Sequence, residues 1–252
     1  MALIDPDLGG SDRHQGTGTA ASLLDGMDPD VRVELLSGAT RRTAAAGRLI
    51  FPPVPAWRCV GLVVEGVARG FLAAGDGRQV TVRYVRPGDV IGNVFPLGER
   101  APLGVSAVTD CTVLELDPDT LLRVIGSDAT AATLLVQILS DRIEDLYATI
   151  AATAFGSMRE RVAGHLLDLA APDASGGLLV AAITQQQLAD NVGSVREVIA
   201  RCLREFRDEG LVTTAPGSIT ILEPVQLASL VGRWYRGVAR GRVRLPGDPA
   251  ID

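Results

Sequence analysis

Residues 183–210 read ITQQQLADNVGSVREVIARCLREFRDEG, and the organisation of the chain follows from them. Thr184-x-x-Gln187 and Ser194-x-x-Glu197 both match the capping box, in which side chains satisfy the free N–H groups of a first helical turn. Between them Gly193 is a turn residue that tolerates left-handed dihedrals. Two short helices around a tight turn make a helix-turn-helix, and the second helix of such a unit enters the major groove of DNA. At about 3.6 residues per turn, Val195, Val198, Ile199, Cys202, Leu203 and Phe206 fall on one side of that second helix. Arg196, Glu197, Ala200, Arg201, Arg204 and Arg207 fall on the other. Such a division marks an amphipathic helix with its apolar stripe in a core. Arg binds guanine O6 and N7 with two hydrogen bonds, and a carboxylate accepts from cytosine N4. Arg196 and Glu197 in the first turn, with Arg201 one turn later, are therefore the candidate base-reading residues. A solvated charged face is the alternative; the capped preceding helix, the glycine turn and the small Ala189 favour DNA. Thr184, Gln185, Ser194 and Arg204 are candidate contacts to the DNA backbone.

Composition narrows the function classes. At 252 residues the chain can bury a sizeable core and hold two domains. No apolar run approaches a bilayer span, and the polar, Gly-rich N-terminus has no signal-peptide pattern, so a cytoplasmic protein without membrane contact is expected. Cys59, Cys111 and Cys202 are too few and too scattered for a disulfide framework or a Cys-x-x-Cys metal site. They read as small buried hydrophobes. His14 lies in a polar tail and His165 stands alone on a helix, so no metal, haem or catalytic set is expected, and no Gly-x-x-x-x-Gly-Lys phosphate loop occurs. The net charge is −6: residues 1–154 hold 13 Arg against 19 acids, and residues 155–252 hold 11 against 11, with no Lys anywhere. Phosphate contacts would then come from Arg, backbone amides and hydroxyls. Weak, salt-sensitive non-specific binding follows.

The rest of the chain punctuates clearly. Residues 1–22 mix Gly, Asp, Ser and Thr without periodicity and are expected to be a disordered tail. Asp28-Pro29 sets a cap and an N1 proline before a short helix to about Ser37. Apolar runs at 48–51, 59–66, 67–73, 79–85, 90–92, 104–109 and 111–116 then read as strands. Gly75-Asp76-Gly77 is a hairpin signal, and Arg86-Pro87-Gly88-Asp89 is a second turn. Many short strands without intervening helices mean a barrel or sandwich. Asp117-Pro118 opens another helix, and after Gly126-Ser127 a long helix reaches about Ala154. On it Leu139, Ile143, Leu146, Ile150 and Thr153 recur at spacings of four, three, four and three, with Leu135 and Val136 extending the stripe. That is a coiled-coil seam; a helix packed on its own strands is the alternative. Two-fold pairing doubles the DNA contacts and suits palindromic sites, so a homodimer is expected. LVTTAPGSITIL (211–222) reads as a strand, turn and strand. Residues 225–238 could form one more helix, followed by Arg240, Arg242 and Arg244. With Arg233 and Arg236 these either supplement phosphate binding or form an idle basic surface.

The run from Gly193 to Arg201 resembles the recognition segment of the cyclic-AMP receptor protein (CRP/FNR) family. Residues 60–116 resemble that family's effector-binding β-roll, and FGSMRERVAGHLLDLA (155–170) resembles the first helix of its DNA-binding domain, so the likeness covers roughly residues 25–222. It implies an α+β fold: a cyclic-nucleotide-binding-like β-roll (23–126), a long dimerisation helix (127–154) with a hinge over Ala152–Gly156, and a winged helix-turn-helix (155–224). A C-terminal helix and basic tail (225–252) follow. The resemblance also implies a bacterial, sequence-specific transcription regulator rather than an enzyme. Residues Arg196, Glu197 and Arg201 would read a TGTGA-like half-site of double-stranded DNA, and RNA polymerase is the partner that activation would require.

The family's effector pocket is altered. Gly92-Asn93 stands where the family has Gly-Glu, and Ala101-Pro102 where it has Arg-Ser. Leu146 and Tyr147 occupy the two hydroxyl positions that face adenine, while Arg142 is kept. Ala101 cannot pair with a phosphate, and an anion buried without a cation costs on the order of several kcal/mol. Arg100, one position away, could substitute if the loop shifts. No cofactor is certain and cyclic AMP is not expected. Another small effector near Gly92, Asn93, Arg100, Arg142 and Tyr147 is one reading. A ligand-independent scaffold in which Tyr147 fills the space is another. A thiol-redox response would require an exposed, low-pKa thiolate at Cys59 or Cys111.

Overall fold

Strand pleating sorts the apolar residues of the N-terminal half into two cores. The computed structural model describes residues 24, 27–53, 59–93, 103–173 and 178–231. The tail over 1–22, Arg100 to Pro102 and the five C-terminal arginines lie outside them, as do the side chains of Cys59 and Asn93. Helix α1 (Pro29–Leu36) is capped by Asp28, whose carboxylate accepts from the Asp30 amide at 2.9 Å. Eight strands follow: β1 (Thr40–Ala44), β2 (Leu49–Phe51), β3 (Cys59–Glu65), β4 (Ala68–Ala73), β5 (Gln79–Val85), β6 (Val90–Asn93), β7 (Leu103–Ala107) and β8 (Cys111–Leu116). They form two antiparallel sheets of order β1-β8-β3-β6 and β2-β7-β4-β5. Successive residues of a strand face opposite sides. Val60 and Leu62 of β3 accordingly join a core with the flanking helices. Val63 joins Phe51, Val85 and Val113 inside the roll. Gly61 is required there, because a Cβ would stand 2.6 Å from Val113 Cγ1. The β4–β5 hairpin turns at Gly77, whose φ of +86° needs glycine.

Strand β1 is absent from the sequence-based reading. Four of its five residues are exposed, so it carries no apolar alternation. Pairing with β8 makes it a strand, reinforced by Arg42 on Glu115 at 2.7 Å.

Helix α2 (Pro118–Ser127) starts at the Asp117 cap. Helix α3 (Ala129–Phe155) then runs for 27 residues, about 40 Å at ~1.5 Å per residue. It breaks at Gly156, where a Cβ would meet Ala152 O at 2.5 Å. Ala152 to Phe155 are helical, so of the residues expected as a hinge only Gly156 lies outside a helix. Ser157 and Glu160 then complete a capping box for α4 (Met158–Leu169). The C-terminal unit continues with β9 (Ala171–Pro172), β10 (Leu179–Ala181), α5 (Gln185–Val192), α6 (Arg196–Asp208), β11 (Val212–Ala215), β12 (Ser218–Ile221) and α7 (Pro224–Ser229). Its sheet has the order β11-β12-β10-β9. Of the helix expected over 225–238, the described residues contain only the short α7, which ends at Ser229. Among them no single helix is long and apolar enough to cross a membrane.

Candidate nucleic-acid interface

The two helices of the opening motif form as their sequence dictates, with one exception. Thr184 Oγ1 accepts from the Gln187 amide at 3.2 Å, and Gln187 Oε1 accepts from the Thr184 amide at 2.9 Å, so α5 begins with a complete capping box. Gly193 ends it in the left-handed region at φ +73°, and its N–H donates to Ala189 O. The Ser194 amide also donates to Ala189 O, at 2.9 Å. That bond commits Ser194 to the turn, and α6 starts one residue later with Val195 as its cap residue and no side-chain cap. The capping box expected at Ser194-x-x-Glu197 is therefore not formed. Val195, expected on the apolar side, is 58 % exposed, because it precedes the helix and follows no helical phase.

From Arg196 onward the helical phase holds. Ile199, Cys202, Leu203 and Phe206 are buried, each large one contributing about 1.5–3 kcal/mol. Arg196, Glu197, Arg201 and Arg204 are exposed, and no hydrogen bond or ion pair to a described residue engages their side chains. Thr184 is exposed, and Gln185 and Ser194 are half-buried beside them. The helix is held from behind. Arg159 of α4 stacks 4.7 Å over the Phe206 ring and pairs with Glu205 at 3.5 Å and with Glu209. Arg161 donates to the Val192 carbonyl at the end of α5. Arg207 donates to Thr214 Oγ1 at 3.1 Å, tying α6 to β11. The face left over can act as a hydrogen-bonding surface for a polyanion.

On α3 the expected seam divides. Leu139, Ile143, Leu146 and Ile150 are exposed together with Val136, whereas Leu135 is buried. The opposite face is anchored to the β-roll, Thr149 Oγ1 donating to Val82 O at 3.0 Å.

Of the five candidate effector residues, Gly92, Arg142 and Tyr147 are described with their side chains. Gly92 sits in β6 opposite Val60. Arg142 reaches the neighbouring Val90 carbonyl, and burial pulls its guanidinium down to about 10, with Arg83 adding to the effect and Asp89 opposing it. The buried Nε of Arg142 has no hydrogen-bond partner among the described residues. Tyr147 is 68 % exposed on the seam side of α3, so it does not fill the roll. It lies about 140° around the helix from Arg142. Asn93 pairs through its backbone with Cys59, its side chain and Arg100 being outside the described residues. Cys111 and Cys202 are buried free thiols, and burial raises both pKa values.

A family model described as a cyclic nucleotide-binding domain matches residues 41–128, and one described as a Crp-like helix-turn-helix domain matches residues 160–230. The transcriptional regulator LdrP of Thermus thermophilus is 30 % identical over 173 residues, 67 % of this chain and 85 % of that protein. The chain belongs to the CRP/FNR family of transcription regulators. The cyclic AMP receptor protein of T. thermophilus is 29 % identical over 210 residues, covering 82 % of this chain and 95 % of the relative. Among solved structures, a CRP/FNR-family transcriptional regulator of T. thermophilus superposes with a TM-score of 0.63 at 29 % identity, over 76 % of this chain and 97 % of that one. These relatives are regulators, not enzymes.

In this CRP/FNR chain the residues joining the β-roll to the helix-turn-helix were not singled out from the sequence. Asn191 Nδ2 donates to Tyr84 Oη at 3.0 Å, and the Tyr84 hydroxyl lies 3.0 Å from His165 Nδ1. Arg86 donates to the Asp168 carbonyl. Tyr84, from β5, is buried within the helix-turn-helix core. One signal was available: Asn191 falls on the apolar stripe of α5 between Leu188 and Val192, where a polar residue needs a partner.

Proposed function

We propose that this chain is a homodimeric, sequence-specific DNA-binding transcription regulator acting in the cytoplasm. It binds a palindromic TGTGA-like site, with Arg196, Glu197 and Arg201 at the base edges and Thr184, Gln185, Ser194 and Arg204 at the backbone. The observation that carries this reading is the α6 surface. Four exposed ionic side chains lie on it unengaged by described residues, beside an N-terminus without a side-chain cap. Free N–H groups there suit a phosphate. The apolar stripe left exposed on α3 supports pairing through that helix. For the roll, Asn93 in place of a carboxylate and Ala101 in place of an arginine support an effector other than cyclic AMP. The raised thiol pKa values of Cys111 and Cys202 count against a redox trigger through either.

In vitro selection of bound DNA tests the proposal. Recovery of inverted TGTGA-like half-sites with a fixed spacing is expected. Enrichment of no common motif, or of a motif without two-fold symmetry, refutes it.

A further inference from the structure

A cleft of about 310 Å³ separates the roll from the helix-turn-helix, at the lower end of the range for small-molecule sites. Arg69, Phe71 and Ser106 line one wall, and Gln187, Asp190 and Asn191 of α5 line the other. Arg69 is mounted in place. Its Nε donates to Ser106 Oγ at 3.0 Å, one terminal nitrogen to Thr81 Oγ1 at 3.2 Å, and the other to Gln79 Oε1. The guanidinium also lies 4.8 Å over the Phe71 ring. That ring is seated against Gly104, where a Cβ would approach it to 2.5 Å.

This arrangement gives Arg69 no direct ion pair among the described residues. All three acceptors are neutral, and the half-buried guanidinium meets a carboxylate only across the cleft, at Asp190. Burial lowers the Arg69 pKa, with Tyr84 and Asp190 opposing. A guanidinium carries five N–H donors, so one on each terminal nitrogen has no partner among the described residues. A carboxylate or phosphate accepts charge-assisted hydrogen bonds from such donors. Across the cleft, the carboxylate of the exposed Asp190 is suited to hydroxyl or amine donors.

We propose that this cleft is a binding site for a small metabolite with an oxyanion at one end and hydrogen-bond donors at the other. Arg69 holds the oxyanion, and Asp190 accepts from the far end. Such a ligand touches both domains. It therefore favours the docked arrangement, in which Tyr84 bridges His165 and Asn191, by its differential affinity for that state. The consequence for transcription rests on the DNA-binding reading above; the binding itself does not.

Isothermal titration calorimetry on the full chain at constant ionic strength tests the site. D-glycerate, glycerol 3-phosphate and glycerol share a diol and differ in bearing a carboxylate, a phosphate or no charge. Saturable binding of at least one of the two anions, and none of glycerol, is expected; the two anion arms decide which head group is preferred. Arg69→Gln should weaken that binding at least tenfold and Arg69→Lys severalfold. Asp190→Asn, at an exposed position, should weaken the diol-bearing anion and strengthen inorganic phosphate. No saturable binding of either anion at 10 mM, roughly the weakest affinity a specific site of this size would show, overturns the proposal. So does binding that Arg69→Gln leaves unchanged. DNA binding without probe is measured in parallel. Its loss alone refutes the regulator reading, and probe failure with intact DNA binding refutes only the site.

Discussion

Helices α3 and α6 each bury one face and leave the other unsatisfied, but the two leftover faces are chemical opposites. On α3 the residue is apolar: Leu139, Ile143, Leu146 and Ile150 stand in solvent, Ile150 at 62 % exposure. On α6 it is ionic: Arg196, Glu197, Arg201 and Arg204. A single chain gains nothing from either surface. An apolar stripe is stabilised by another apolar stripe, and two copies of α3 supply one. An ionic face with free donors is stabilised by a polyanion. The difference teaches that what a helix fails to satisfy at home specifies its partner.

The most damaging way to break this comparison is to give α3 the chemistry of α6. Ile143→Asp combined with Ile150→Asp would carry carboxylates into the paired seam, at a cost of several kcal/mol per ion, roughly. Sedimentation should then report a monomer, and affinity for a two-half-site DNA should fall at least a hundredfold, as is roughly expected when one half-site's contacts are lost. A dimer that survives both substitutions would mean that α3 does not form the interface.

Removing the ionic chemistry from α6 is the next step down. Arg201→Ala should cost about 1–3 kcal/mol of specific binding. Glu197→Ala should instead relax the preference at one base pair. Neither should shift the melting temperature, since both side chains are exposed. Competition binding against single-base variants separates the two effects; uniform weakening across all sequences would reassign Arg201 to phosphate contact.

Between the two unsatisfied faces lies a junction that is satisfied internally, and its polar groups should report on folding rather than on partners. Burial, then the charges of Arg161 and Arg69, pull the His165 pKa down to about 4. The unfolded value is about 6.5. Between the two, the unfolded chain binds a proton that the folded chain excludes, so stability falls as pH falls through that window. The slope contributed is at most about 1.4 kcal/mol per pH unit. Urea unfolding at pH 7, 6 and 5 should show the decline, and His165→Asn should flatten it. Tyr84→Phe strands His165 Nδ1 and the Asn191 amide, a loss of about 1–3 kcal/mol. An unchanged pH profile in His165→Asn would place the titration elsewhere.

Local signals were legible in the sequence, and distant pairings were not. The Asp28, Asp117 and Thr184 caps, the Gly77 hairpin and the phase of α6 from Ile199 to Phe206 all follow from rules acting within a few residues. Strand β1 escaped because an exposed edge strand needs only a partner, and TRRTA carries no pattern of its own. Leu135 was assigned to the seam because spacing alone cannot separate two adjoining apolar faces of one helix. The Tyr84–His165–Asn191 contacts join residues 81 and 107 positions apart. Nothing local encodes such a meeting. The same holds for the candidate DNA surface and the cleft: the α6 residues share one helix face and could be named, while Arg69 and Asp190 meet only through tertiary docking.

The finest comparison is between two hydroxyls ten residues apart. Thr184 and Ser194 carry the same capping-box signature, yet only Thr184 closes its box, because the Ser194 amide is drawn back to Ala189 by the left-handed Gly193. Thr184→Ala should therefore cost about 1 kcal/mol of stability, the usual value of an N-cap. Ser194→Ala should stay within about 0.5 kcal/mol, as for a surface change with no structural role. Chemical denaturation of the two variants gives the difference directly. If Ser194→Ala proves as costly as Thr184→Ala, then Ser194 caps α6 in solution, and the N-terminus offered to a phosphate is not free. If it is silent in folding but weakens DNA binding, its hydroxyl is a backbone contact. The capped helix would then serve only to place the uncapped one.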